Sequence, residues 1–207
     1  FVSQGSDFPF AAAFAARYPD MVSEIIAVGG KPCLPGGATI EPRGQWQKFF
    51  VSAAKNNTTL LAFASNAVMA MSRRISPEAM LERLCKDSPS DLACLRVADI
   101  KEALIANIDF MARGSPHIGQ AFAREYAAFH TDWSADVIST KRLPIKVLVA
   151  SEDPTIDLSQ LPLLQRAYPW IAFEVVENAG LALMFQHYED LIPAFSRAAG
   201  DARYTAR

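Results

Sequence analysis

Four short runs rich in strand-forming residues are spread along the chain, near residues 1–2, 24–29, 146–151 and 172–177. Each hands over to a turn and then to a helical stretch. Lys146-Val147-Leu148-Val149-Ala150-Ser151 and Phe173-Glu174-Val175-Val176-Glu177 are the clearest of them, and Phe1-Val2 and Glu24-Ile25-Ile26-Ala27-Val28-Gly29 are shorter. Strands that alternate with helices return to a sheet by crossover, which makes them parallel neighbours. The pattern predicts an α/β fold: a mainly parallel sheet flanked by helices. The strands should be adjacent in chain order and joined by right-handed crossovers.

The gap between the second and third runs is long, and its spacing is helical. Lys31 to Gly44 is a loop, broken by Pro32, Pro35, Gly36, Gly37 and Pro42. Ser76-Pro77-Glu78 is a helix start, with Met80, Leu81 and Leu84 following at helical spacing. Ala98 to Arg113 places Ile100, Leu104, Ile108 and Met111 on one face, and Gly114 ends it. Ser115-Pro116 starts another helix, carrying Phe122, Tyr126 and Phe129. After the third strand we expect a helix over 159–168, the strand 171–177, a closing helix over 185–199 and a frayed tail over 200–207. The chain thus divides into a core, residues 1–44 with 131–207, and a helical cap, residues 45–130. The cap is expected over the C-terminal ends of the strands. Its aromatic residues serve mainly as its own packing, and the cleft beneath it suits a small-molecule ligand.

Composition narrows the function classes. A chain of 207 residues with a net charge of −2 has the size for a real core and no electrostatic reason to bind nucleic acid directly. The basic pairs Arg73-Arg74 and Lys141-Arg142 read as solvated positions. Cys33, Cys85 and Cys94 make an odd count without Cys-x-x-Cys spacing, which argues against a disulfide framework or a zinc site. Buried thiols in a reducing, cytoplasmic setting are the expectation. No apolar run is long enough to span a membrane, and no signal peptide is evident. Asn56-Asn57-Thr58-Thr59 reads as a helix cap. We find no phosphate-cradling loop, dinucleotide fingerprint or metal-ligand cluster, so no cofactor and no metal are expected.

Three segments carry potential chemistry. Val2-Ser3-Gln4-Gly5-Ser6-Asp7-Phe8-Pro9-Phe10-Ala11 is a strand, a sharp turn and a helix running to Tyr18-Pro19. Ser151-Glu152-Asp153-Pro154 follows a strand. Asn178-Ala179-Gly180-Leu181 follows the last strand. In this order, they resemble the nucleophile elbow, acid loop and base turn of the α/β-hydrolase fold family, with a helical cap between. The resemblance covers nearly the whole chain but begins inside the elbow strand. That family carries four or five strands before this point, so the N-terminal strands are expected to be missing from a fragment, or supplied by another segment or fused domain.

The resemblance also assigns positions. Counted back from Pro19 without a gap, Gly5 stands at the nucleophile, with Ser3 and Asp7 at the motif's two glycines. Asp153 matches the acid. Leu181 stands where the family has its histidine, and an alkyl side chain cannot accept a proton. On this register the triad positions Gly5, Asp153 and Leu181 are vestigial, and they should converge at the sheet's C-terminal edge, with Leu181 sheltered among apolar neighbours. A second register stays open. Ser3-Gln4-Gly5 fits the end of Gly-x-Ser-x-Gly, making Ser3 the nucleophile beside Asp153, with Phe1 replacing a glycine and two residues inserted before the helix. Ser6 fits less well, since Gln4 and Phe8 would take the glycine positions. Of the histidines, His187 reads as a surface or capping residue, His117 as a helix-start residue, and His130 as a helix-end residue favoured by the backbone dipole. The first register implies a non-catalytic ligand-sensing or protein-binding domain, within a larger bacterial regulator, touching its ligand through Ser3, Gln4, Ser6 and Leu181. The second implies a serine hydrolase acting on an ester or related acyl substrate through Ser3. Oligomeric state is left open.

Overall fold

β1 (Val2–Gln4), β2 (Ile25–Val28), β3 (Ile145–Ala150) and β4 (Ile171–Val176) pair in parallel, in the spatial order β1-β2-β3-β4. The computed structural model describes residues 1–36, 38, 42–72, 74–113 and 117–188. Chain order and spatial order coincide, as the alternation of strands and helices predicts.

Both faces of β2, and of β3 beyond Lys146, are buried, which is why these stretches read as apolar runs rather than alternating ones. Ile25 and Ala27 of β2 join Ile145, Val147 and Val149 of β3 in one cluster with Phe8, Trp133 and Tyr168. Ile26 and Val28 join Leu148 and Ala150 in a second, with Ala179 and Leu183. The period of two sorts neighbouring residues to opposite faces. α1 (Phe8–Arg17), α8 (Ser134–Ser139) and α9 (Leu161–Ala167) all bury residues in the first cluster. α9 is preceded by a 3-10 turn, Leu158–Gln160, because the Asp157 carboxylate accepts the Ser159 N–H and opens the turn there.

Among the described residues seven helices lie between β2 and β3, and the six before α8 form an insertion. These six are α2 (Gln45–Asn56), α3 (Thr58–Ser72), α4 (Pro77–Cys85), α5 (Pro89–Cys94), α6 (Ala98–Arg113) and α7 (His117–Phe129). The Ser76 hydroxyl accepts the Ala79 N–H, so the expected start of α4 is an N-cap. Asn57 does the same for Leu60 at the head of α3, which is the capping role expected of the Asn-Asn-Thr-Thr segment. This insertion largely packs on itself. Ala53, Ala54, Leu61 and Ala123 form one cluster, and Met80, Leu81, Cys85 and Ile108 another. All three cysteines are buried and free. Gly114, the helix start at Ser115-Pro116, the Met111 side chain, Arg73, and the closing helix and tail beyond Tyr188 lie outside the described residues. Within them the last helix is α10 (Leu183–Gln186), with His187 as its C-cap. Among the described residues no helix is long and apolar enough to cross a membrane, and no cluster of His, Cys, Asp and Glu is arranged to hold a metal.

Candidate functional site

The turn after β1 hands the strand to a helix within three residues. Gln4 is extended, Gly5 has φ +53°, and a 3-10 turn over Gly5–Asp7 runs straight into α1. That left-handed conformation is costly for any residue with a β-carbon. A β-carbon on Gly5 would meet no neighbour, so the backbone alone calls for glycine here. Gly30 completes the corner by close approach: its absent β-carbon would lie 3.1 Å from Phe8 Cβ and 3.2 Å from the Gly5 carbonyl.

The loops after β3 and β4 are tied to each other and to α5. The Ser151 hydroxyl accepts the Asn178 N–H at 3.0 Å, and the Glu152 N–H donates to the Ala179 carbonyl at 2.8 Å. Asn178 takes the left-handed bend of the last turn, at φ 55°. Asp91, fully buried on α5, accepts the Leu181 and Ala182 N–H groups at 2.9 Å each and the Gln186 amide at 3.1 Å. Glu152 accepts from the Ser88 hydroxyl at 2.7 Å and from the Ser90 hydroxyl and N–H at 2.6 and 3.0 Å. Those bonds hold its carboxyl below the usual range. The segment Ser88-Pro89-Ser90-Asp91 therefore wedges across both loops. Gly180 is glycine because a β-carbon there would run into the Asp91 carboxylate and the Ser88 hydroxyl. These bonds also start α10 two residues earlier than the sequence suggests.

Gly5, Asp153 and Leu181 line one cavity of about 230 Å³, at the C-terminal edge of the sheet. Its floor includes Gln4, Ser6, Val28 and Lys31, and its roof is Val51 of α2 with Phe122, Tyr126, Phe129 and His130 on and just after α7. Asp153 is buried, and its Oδ1 accepts the Thr155 N–H at 2.7 Å. Burial pushes its carboxyl above the ordinary value, with the Thr155 bonds and the charge on Lys31 opposing. Lys31 donates to the Thr155 carbonyl, and burial lowers its ammonium to about 8 against the pull of Asp153. Burial, with Asp153 nearby, raises the Tyr126 phenol to about 12.

His130 departs from its sequence reading. A helix-end imidazole is favoured in its charged form by the backbone dipole. Here burial, helped by Lys31 and Lys55, lowers it to about 4, so desolvation wins. It is only 6% exposed, and neither ring nitrogen has a hydrogen-bond partner. His130 thus lines the cavity as a buried imidazole whose charged form is disfavoured and which bonds no serine hydroxyl.

Three of the four expected ligand contacts need comment. Ser3 is not part of the cavity lining. It pairs in register with Ala27, whose side chain belongs to the core on the α1 face, and its hydroxyl is buried without a partner. The period-two alternation of β1 is the reason: Gln4 reaches the cavity and Ser3 points away from it. Ser6 lines the cavity, but its hydroxyl donates to Glu125 on α7 at 2.9 Å. Leu181 corrects a second expectation. It is 42% exposed rather than sheltered, because Asp91 fixes its N–H while its side chain opens on the cavity. His117 and His187 are absent from the lining. The sequence alone does not mark Lys31, Tyr126 or Asp91 as site residues. Ser88-Pro89 before Asp91 can start a helix, which says nothing of a contact 90 residues away.

No protein-family model and no curated protein matches the sequence. Solved structures do. A carboxylesterase from the ammonia-oxidizing thaumarchaeon Nitrososphaera gargenis matches with a TM-score of 0.59 at 16% identity, over 97% of this chain and 65% of its own. A bromoperoxidase from Bacillus anthracis matches at 0.58 and 16%, over 96% of this chain and 66% of its own. The N-formylmaleamic acid deformylase of Pseudomonas putida S16 matches at 0.53 and 19%, over 94% and 64%. The chain has an α/β-hydrolase fold. It spans a little under two thirds of the length of these neighbours. Likeness at such identity carries the fold alone. Within that fold, the structure sets Gly5 at the turn after β1, Asp153 in the loop after β3 and Leu181 in the turn after β4.

Proposed function

We propose that this chain is a non-catalytic α/β-hydrolase-fold domain that binds a small molecule between its core, residues 1–44 with 131–207, and a helical cap, residues 45–130, as the sensing part of a larger protein. The observation that carries the reading is Gly5. It holds the left-handed turn between β1 and α1, and it has no side chain to offer as a nucleophile. Leu181 in the turn after β4 has no proton-accepting atom, and Asp153 spends its carboxylate on Thr155 in its own loop. His130 lines the same cavity but bonds no hydroxyl, so the cavity wall carries no Ser–His couple of the kind that activates a serine. A cavity that keeps polar groups at its wall without this couple suits binding rather than turnover.

The test is reaction of the full-length protein with a fluorophosphonate, read by intact mass, alongside hydrolysis of simple aryl esters. We expect no adduct and no hydrolysis above background. An adduct on Ser3 that disappears in Ser3→Ala, in protein that still folds, would overturn the reading in favour of a serine hydrolase. The double variant Gly5→Ser with Leu181→His asks the converse question, and gained activity would show that only the reacting groups are lacking.

A further inference from the structure

The cavity has a polar feature that the α/β-hydrolase fold itself does not require. His130 is 6% exposed, lines the cavity, and leaves both ring nitrogens without a protein partner. Its ring is held edge-on by Tyr126 and Phe129, at centroid distances of 4.7 and 5.0 Å. Buried polar groups in folded proteins are overwhelmingly paired, so an unpaired one facing a cavity marks a position that something else completes. We infer that the ligand of this cavity is a small, uncharged, largely apolar molecule bearing one hydroxyl or carboxamide head, which His130 recognises. This rests on the cavity being a ligand site.

The head follows from the imidazole. A neutral imidazole offers one N–H and one lone pair. A group that both donates and accepts answers either face of it, whichever nitrogen carries the proton. Burial and the charges of Lys31 and Lys55 disfavour the imidazolium, consistent with a neutral ring. Absence of net charge on the ligand follows from the rest of the wall. The charged groups bordering the cavity are Lys31 and Asp153, which oppose one another in sign, and Lys31 is already bonded to the Thr155 carbonyl. An ion entering would be desolvated at a wall whose two charges oppose each other and leave no net counter-charge. The apolar body follows from Val28, Val51, Phe122, Phe129, Leu181 and Met184. At about 230 Å³ the space suits a single substituted ring rather than a nucleotide or a lipid.

The test uses a matched set of probes on the full chain, followed by calorimetry and by ¹⁵N chemical shifts of the histidine rings. The probes are benzyl alcohol, benzamide, toluene, benzoate and benzylammonium. We expect benzyl alcohol and benzamide to bind roughly tenfold to a hundredfold more tightly than toluene, the range for pairing a buried polar group. Benzoate and benzylammonium should bind more weakly than either. Benzyl alcohol should move the His130 ring nitrogens, and toluene should not. In His130→Phe, which keeps a ring and removes the nitrogens, the advantage over toluene should vanish; the ¹⁵N shifts of the unmutated protein give the answer even if that variant does not fold. Toluene binding as well as benzyl alcohol, or benzoate binding best, would overturn the head-group inference and leave the ligand site standing. If no probe perturbs the cavity, the ligand site itself is overturned.

Discussion

Past the ends of β3 and β4, Glu152 accepts from Ser88 and Ser90, and Asp91 accepts from Leu181, Ala182 and Gln186. Past the ends of β1 and β2, under α7, Ser6 bonds Glu125 and Lys31 bonds Thr155, but both nitrogens of His130 lack a partner. The two regions lie past adjoining halves of one sheet. Their difference separates what holds the molecule together from what it leaves available. A buried carboxylate with its acceptor sites filled is a fastener, and removing it exposes every donor it served. A buried imidazole with nothing bonded subtracts from stability, and such a cost persists where another molecule offsets it.

The comparison breaks most easily at Asp91. Asp91→Ala leaves two backbone N–H groups and the Gln186 amide without their acceptor, and we expect a loss of about 3 kcal/mol in urea unfolding. Asp91→Asn keeps one acceptor oxygen and should lose about half as much. Gly180→Ala should resemble Asp91→Ala, because its β-carbon displaces the same carboxylate. A cost below about 0.5 kcal/mol for Asp91→Ala would mean that the fastened region is fastened by something else.

His130 sharpens the other side through pH. The unfolded imidazole takes a proton near its ordinary 6.5 and the folded one near 4, so between these values the unfolded chain binds more protons. The contribution of this group to stability therefore falls as pH drops from 6.5 toward 4. Asp153 acts in the opposite direction, since its raised carboxyl takes up a proton earlier in the folded state. Comparing the protein with His130→Phe isolates the histidine. The variant should gain about 2 kcal/mol relative to the parent on going from pH 7 to pH 5. An unchanged difference between the two pH values would place His130 in contact with solvent or with a partner.

Much of this arrangement is legible in the sequence, and the rest is illegible for a physical reason. The strands read because both faces of β2, and of β3 beyond Lys146, are buried, so their apolar residues run together. The elbow, the acid loop and the last turn read because each follows a strand directly, and local backbone demands leave local marks: Gly5 and Asn178 stand where the chain turns left-handed. The contacts of Asp91 do not read, because a Ser-Pro-Ser-Asp helix start looks the same whether its carboxylate meets water or a loop far away in sequence. His130 reads wrongly for a similar reason. The dipole that would favour its cation is written in the sequence, while the burial that defeats it, helped by the charges of Lys31 and Lys55, comes from tertiary packing. Leu181 inverts the lesson: its alkyl side chain suggests shelter, yet its position is set by its N–H.

Gly5 offers a smaller effect. Gly5→Ala meets no neighbour, so its whole cost is the left-handed backbone, about 1 kcal/mol. A larger loss would reveal a steric demand at the elbow that the open space around it does not show. The same measurement sets the background for Gly5→Ser, whose stability should match Gly5→Ala if the hydroxyl finds no partner.

Ser3 gives the smallest effect and the finest cut. Like His130, it is a buried polar group without a partner, 5% exposed. Unlike His130, it points away from the cavity, into the core shared with α1. No ligand arriving in the cavity can complete it there. Ser3→Ala removes an unpaired hydroxyl from an apolar setting and leaves almost no void, so the variant should be unchanged or more stable by up to about 1 kcal/mol. Binding of benzyl alcohol should be unaffected, whereas in His130→Phe its advantage over toluene should vanish. If Ser3→Ala instead weakens binding as His130→Phe does, Ser3 communicates with the cavity, and the contrast between an unpaired group that serves a ligand and one that merely costs stability collapses.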